Sequence, residues 1–139
     1  EKGNIFHLIM SEIYSVKDVS LVLNKYYELG EISTNKKEKL KEIIYKITKD
    51  KEIKEYYNPK YKSFNEREII EKNGKSFIPD RIVFINDKDI VLIDYKTGTK
   101  KSKYINQLND YEFRLNKIGL NTLKKIIIYV SKEIKIECF

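Results

Sequence analysis

Ile90-Val91-Leu92-Ile93-Asp94-Tyr95-Lys96 is the stretch on which the fold turns. Its unbroken apolar start, Ile90 to Ile93, reads as a strand covered on both faces, as strands in the interior of a parallel or mixed α/β sheet are. Asp94 and Lys96 interrupt that run at positions where apolar side chains are far easier to bury. Side chains two apart on a strand share a face and lie roughly 6 to 7 Å apart along it, so this carboxylate and ammonium project together. Asp80 repeats the anomaly one strand earlier, in Phe77-Ile78-Pro79-Asp80-Arg81-Ile82-Val83-Phe84. Two carboxylates and an ammonium in a partly apolar sheet suit a hard cation held by oxygen ligands, with the lysine facing phosphate or water. Two plainer readings compete: Asp94 and Lys96 as a solvated pair at a strand end, and Asp80 as a structural partner of Arg81. A bare Asp-x-Lys does not choose between them.

Outward from this strand, the texture of the chain changes near Pro59. Before it, apolar residues recur at helical spacing. Asn4 is placed to cap a first helix running to about Tyr14, and Asp18 a second that stops at Gly30. Thr34 or Asn35 is placed to cap a third helix with Leu40, Ile43, Ile44 and Ile47 on one face. A short continuation through Tyr56 and Tyr57 ends ahead of Pro59. After Pro59 the pattern is β. Phe64 to Glu71 and Lys75 to Ile85 flank Asn73-Gly74, the dipeptide most favourable to a type I′ hairpin, and together with Ile90 to Lys96 they predict an antiparallel meander. Tyr104, Leu108, Tyr111, Leu115 and Ile118 make one apolar helical stripe closed by Gly119, and Thr122 to Val130 and Glu133 to Cys138 read as final strands. The expected architecture is an α/β domain, 1–139, with a helical segment over 1–58 and, over 59–139, a mixed central sheet with one crossover helix.

The 139 residues fit one ordinary domain, and no run of about 18 apolar residues is present, so a soluble chain without a membrane partner is expected. The sole cysteine, Cys138, excludes an internal disulfide and argues against a thiolate zinc site or an iron-sulfur cluster, which suits the cytoplasm. The formal charge of +7 favours an anionic partner, nucleic acid first, although a lysine-rich surface also serves solubility. The opening at Glu1, with Met10 the only methionine, reads as a piece of a larger polypeptide. No Walker A glycine loop occurs, so the chain is not itself a nucleotide-driven motor.

Pro79-Asp80 followed on the next strand by Asp94-Tyr95-Lys96 resembles the Pro-Asp…(Asp/Glu)-x-Lys signature of the PD-(D/E)XK nuclease superfamily. The surrounding residues narrow the likeness. Gly3-Asn4-Ile5-Phe6-His7, Asn65-Glu66-Arg67-Glu68-Ile69, Pro79-Asp80-Arg81-Ile82-Val83, Ile93-Asp94-Tyr95-Lys96-Thr97-Gly98, and Gln107-Leu108 leading to Tyr111 resemble, in order, the motifs of RecB-like and AddA-like nuclease domains. The resemblance spans residues 3 to about 130. It implies a restriction-endonuclease-like sheet and magnesium-dependent DNA cleavage, with manganese able to substitute, at ends or on single strands. It also implies a bacterial helicase-nuclease of the UvrD/Rep type serving double-strand break repair and recombination, whose helicase modules, and a further partner subunit, would supply the DNA.

The resemblance implies His7, Asp80, Asp94 and the backbone carbonyl of Tyr95 as metal ligands. It makes Glu66 the additional acid, with Glu68 the alternative on the same strand face, Lys96 the catalytic lysine, and Gln107 and Tyr111 the pair that follows. Lys100, Lys101 and Lys103 are candidate phosphate contacts, or simply a solvated run. Taken by itself His7 reads as a capping or core histidine, and Tyr111 lies on the apolar stripe where packing alone accounts for it. The competing function classes are a catalytically inert DNA-binding module of the same fold, a stand-alone RecB-like nuclease, and a protein-interaction domain. Only the last leaves charges within strands without purpose.

Overall fold

The computed structural model describes residues 2–139, with side chains from residue 5 onward. It divides into two compact units, 1–60 and 61–139, at the point where the sequence texture changes.

The first unit is helical. Helix α1 spans Lys2–Ser11, α2 Asp18–Glu28 and α3 Thr34–Thr48, and a 3-10 turn covers Lys54–Tyr57. The helices are where the apolar spacing put them, but their caps differ. Asn4 lies inside α1, not at its start, and α1 ends at Ser11 instead of near Tyr14. Lys17 occupies the N-cap position of α2, and the Asp18 carboxylate reaches back to accept the N–H groups of Tyr14 and Ser15 at 2.9 and 3.0 Å. It thereby satisfies the turn before the helix instead of the helix's own first N–H groups. Ser33, not Thr34 or Asn35, caps α3 by accepting the Lys36 N–H at 3.1 Å.

The second unit is a mixed five-stranded sheet in the order β1-β4-β5-β6-β7, with a separate β2-β3 hairpin and one helix. Strands β1 (Lys62–Asn65), β4 (Arg81–Phe84) and β5 (Asp89–Thr97) are antiparallel neighbours. Helix α4 (Ser102–Lys117) then crosses over so that β6 (Asn121–Val130) runs parallel to β5, and β7 (Ile134–Cys138) closes the edge antiparallel to β6. The mixed sheet and crossover helix are as expected.

The two long strands expected on either side of Asn73-Gly74 are instead each broken in two. Glu66 takes a left-handed backbone, φ 51°, which ends β1, and Pro79, lacking an N–H, stands between β3 (Ser76–Phe77) and β4. Strands β2 (Ile69–Ile70) and β3 therefore pair only with each other. Their turn is not type I′, which requires positive φ at both central residues: only Gly74 has it, at 86°. Gly74 N–H bonds to Glu71 C=O at 2.9 Å and Glu71 N–H to Lys75 C=O at 2.8 Å, a three-residue loop with a glycine bulge.

Register aligns the chemistry. Asn65 pairs with Arg81 and Arg81 with Ile93, so one step further along the strands Glu66, Asp80 and Asp94 stand in one row. The row continues through Ile127 to Glu137. The next row on the same face holds Lys96, Tyr129 and Lys135. Helix α4 covers this face, its Leu108, Tyr111 and Leu115 joining Ile82, Ile90, Leu92 and Ile127 in one apolar cluster. Among the described residues no helix is long and apolar enough to cross a membrane.

Candidate active site

Asp94 sits where β5 emerges from that cluster, and only 3% of its surface is exposed. Burial first, then the charge of Asp80 and a hydrogen bond shared with it, push the Asp94 carboxyl up to about 7, with Lys96 opposing. Asp80 lies one strand over and half-buried, and its Oδ2 accepts the Tyr95 N–H at 2.8 Å. The β4 ladder has ended there, so the side chain replaces the missing backbone acceptor. This contact anchors Asp80 beside Asp94. A carboxyl held protonated by burial beside a second acid makes a pair suited to a divalent ion in the proton's place.

Lys96 completes the cluster. Its Nζ is 3.0 Å from Asp94 Oδ2, an ion pair that nonetheless leaves this buried oxygen without a directed hydrogen bond. Nζ donates to Gln107 Oε1 at 2.9 Å and stands 4.9 Å from the centre of the Tyr104 ring. Gln107 therefore meets Lys96, as its place one turn after Tyr104 on α4 allows. Tyr111, four residues on, turns inward and stacks on Phe77 with ring centres 5.2 Å apart. Burial, followed by the charges of Asp94 and Asp80, pushes its phenol up to about 12, so it stays protonated at neutral pH. Packing and proximity to the acids both hold for this residue.

The remaining expected residues are placed differently. Glu66 is exposed at the end of β1, where its N–H bonds to Asp80 C=O at 3.0 Å. Glu68 is also exposed, accepts the Ser76 hydroxyl at 2.8 Å, and lies outside β1, so the two acids do not share a strand face. Among the described residues no group of three or more His, Cys, Asp or Glu side chains is gathered to hold a metal. What the fold brings together is the pair Asp80 and Asp94. His7 belongs to the first unit, half-buried on α1 with its ring edge-on to Phe6 at 6.0 Å. Of the three loop lysines, Lys100 is paired with Glu137 at 2.7 Å, while Lys101 and Lys103 are exposed.

Sequence reasoning missed the place of Tyr104 beside the Lys96 ammonium. The apolar stripe accounts for Tyr104 by packing alone, whereas its position one turn before Gln107 also sets it beside the same lysine. No protein-family model matches the chain, and no curated protein matches it in sequence.

Proposed function

We propose that this chain is a metal-dependent deoxyribonuclease with a restriction-endonuclease-like fold, hydrolysing phosphodiester bonds at DNA ends or in single strands. The observation that carries the reading is one cluster: the Asp94 carboxyl on β5 and the Asp80 carboxyl just ahead of β4 interact, with a lysine 3.0 Å from Asp94 and oriented by Gln107 at 2.9 Å. A merely solvated strand-end pair needs neither burial nor a second acid. Asp80 and Asp94, joined by the Tyr95 carbonyl, would hold magnesium, with manganese as a substitute; the oxygen-rich donor set favours these hard ions.

When bound, such an ion lowers the pKa of water and withdraws charge from phosphate oxygens. Lys96 would then hold the attacking water in line and stabilise negative charge gathering on the phosphate. Gln107 fixes the direction of that ammonium. Tyr111, protonated and packed beside the acids, restricts water on the helix side. The proposed setting is the bacterial cytoplasm, in a helicase-nuclease of break repair whose motor modules deliver the strand.

A time course on end-labelled single- and double-stranded DNA with magnesium, manganese or chelator tests this. Cleavage that requires the metal and is lost in Lys96→Ala is the expected result. Full-length DNA at every time point in both metals, with no metal-induced rise in thermal stability, sinks the proposal.

A further inference from the structure

Arg67 is held where a regular strand would not put it. Side chains three apart on a strand point to opposite faces, yet the Arg67 guanidinium lies 3.9 Å from the centre of the Phe64 ring. Glu66 between them is the cause: its left-handed backbone, φ 51°, is the one such state at a non-glycine position among the described residues, and it breaks the alternation. Phe64 pairs with Ile82 and Ile82 with Leu92, two residues before Asp94, so the Phe64 ring belongs to the face that carries the acids. That ring stands two residues, roughly 6 to 7 Å, along the strands from the acid row, a step or two of a nucleic-acid backbone. Lys62 flanks the same ring at 4.9 Å and the Phe84 ring at 5.5 Å.

Stacking engages the flat face of a guanidinium and leaves the N–H groups in its plane able to donate. Among the described residues those of Arg67 have no acceptor, and neither Arg67 nor Lys62 joins an ion pair. Glu68, close in sequence, turns to the Ser76 hydroxyl instead, at 2.8 Å. The other flanks differ. At the β7 end of the acid row Lys100 is committed to Glu137 at 2.7 Å, and Lys135 shares its cleft with Glu133. On α4, Arg114 is committed to Asp110 at 3.1 Å and Glu71 at 3.5 Å, and on β6 Lys125 to Glu112. An exposed guanidinium fixed in place with its donors open suits a group that presents two acceptor oxygens, as a phosphodiester does.

We infer that Arg67 holds a phosphate flanking the scissile one, and that one flank of the substrate strand runs over β1, past Phe64 toward Lys62. The inference rests on the proposed nuclease reading for its choice of phosphate over a carboxylate.

The test uses single-stranded oligonucleotides, labelled at one end, in which one phosphodiester is replaced by a neutral methylphosphonate. The product ladder then reads cutting at every bond relative to that linkage. In the parent chain cutting should fall by roughly tenfold at a bond a fixed number of nucleotides to one side of the neutral linkage, the size of one charge-assisted hydrogen bond. Arg67→Ala should cut all-phosphate DNA more slowly by a similar factor, and its dip should shrink to within about twofold. Lys132→Ala removes one positive charge from the exposed turn between β6 and β7, and should keep the parent's dip and, to within about twofold, its rate. Binding in calcium supplies an arm without cleavage. The slope of log affinity against log salt should become shallower by about 0.7 in Arg67→Ala, one single-strand phosphate contact, and stay unchanged in Lys132→Ala. A full dip and an unchanged slope in Arg67→Ala overturn the phosphate site and leave the nuclease reading intact. A shallower slope in Arg67→Ala with no cleavage by the parent in either metal does the reverse. Equal losses in the Arg67 and Lys132 variants also overturn the site, since bulk charge then explains both.

Discussion

The ammonium of Lys96, on β5, donates a 2.9 Å hydrogen bond to the side-chain carbonyl of Gln107, on α4. The pairing joins the sheet to its crossover helix at the point where the acids gather. Gln107→Ala should leave Lys96 present but free to swing toward Tyr104. A catalytic group displaced by about 1 Å typically loses on the order of a hundredfold in rate, and partial loosening less, so roughly ten- to hundredfold slower single-turnover cleavage is expected. DNA binding in calcium should stay within about twofold, because Gln107 adds no charge. Gln107→Glu keeps the acceptor and should recover most of the rate. If it recovers none, Gln107 does not act by positioning Lys96.

Lys96→Ala should slow hydrolysis by on the order of a hundred- to a thousandfold while sparing metal binding and most DNA affinity, since lysine is no magnesium ligand. Lys96→Arg should not rescue: guanidinium is broader, and it does not give up a proton near neutral pH. The measurement is single-turnover cleavage alongside binding in calcium. A parent-like rate for Lys96→Ala makes the residue a strand-end charge and removes the centre of the functional proposal.

Asp80 separates charge from hydrogen bonding. Repulsion between two carboxylates leads one to expect that any neutral replacement stabilises the metal-free protein. The 2.8 Å bond from Tyr95 N–H to Asp80 Oδ2 changes that expectation for alanine, which strands a buried backbone donor. In chelator Asp80→Asn should therefore exceed Asp80→Ala by about 1 to 3 kcal/mol in urea unfolding. Both should abolish metal-induced stabilisation. Equal stabilities for the two variants would show that the Tyr95 contact is not formed in solution.

Asp94 gives a pH signature. Its carboxyl is pushed up to about 7, chiefly by burial and then by Asp80. An unfolded aspartate titrates near 3.9, so between about pH 4 and about pH 7 the folded chain keeps a proton the unfolded chain has lost. Stability in chelator then falls as pH rises through that window and levels off above it. Asp94→Asn should lack this component, so the stability difference between variant and parent should favour the variant more at about pH 8 than at about pH 5. An identical difference at both pH values would show that Asp94 is ionised throughout in the metal-free fold.

The sequence alone determined the helices, the central strand and the polar anomalies. Helical spacing in Leu40, Ile44 and Ile47, the apolar run Ile90 to Ile93, and the stripe Leu108, Tyr111 and Leu115 reflect local periodicity, which any burial of those faces preserves. Asp80, Asp94 and Lys96 stood out for the same reason, as charges placed where the periodicity demanded apolar residues. Tertiary structure decided what no local pattern encodes. The break at Glu66 is a backbone state chosen by the β1-β4 pairing, and it leaves that acid exposed although its row holds both buried carboxylates. Asp80's acceptor role toward Tyr95 depends on the ladder ending one residue earlier. Glu137 lies on the same row as Asp94 only because β6 is parallel to β5 and β7 antiparallel to β6. Register and strand order are set by long-range packing of whole faces, so residues separated by dozens of positions meet through the sheet and not through any spacing along the chain.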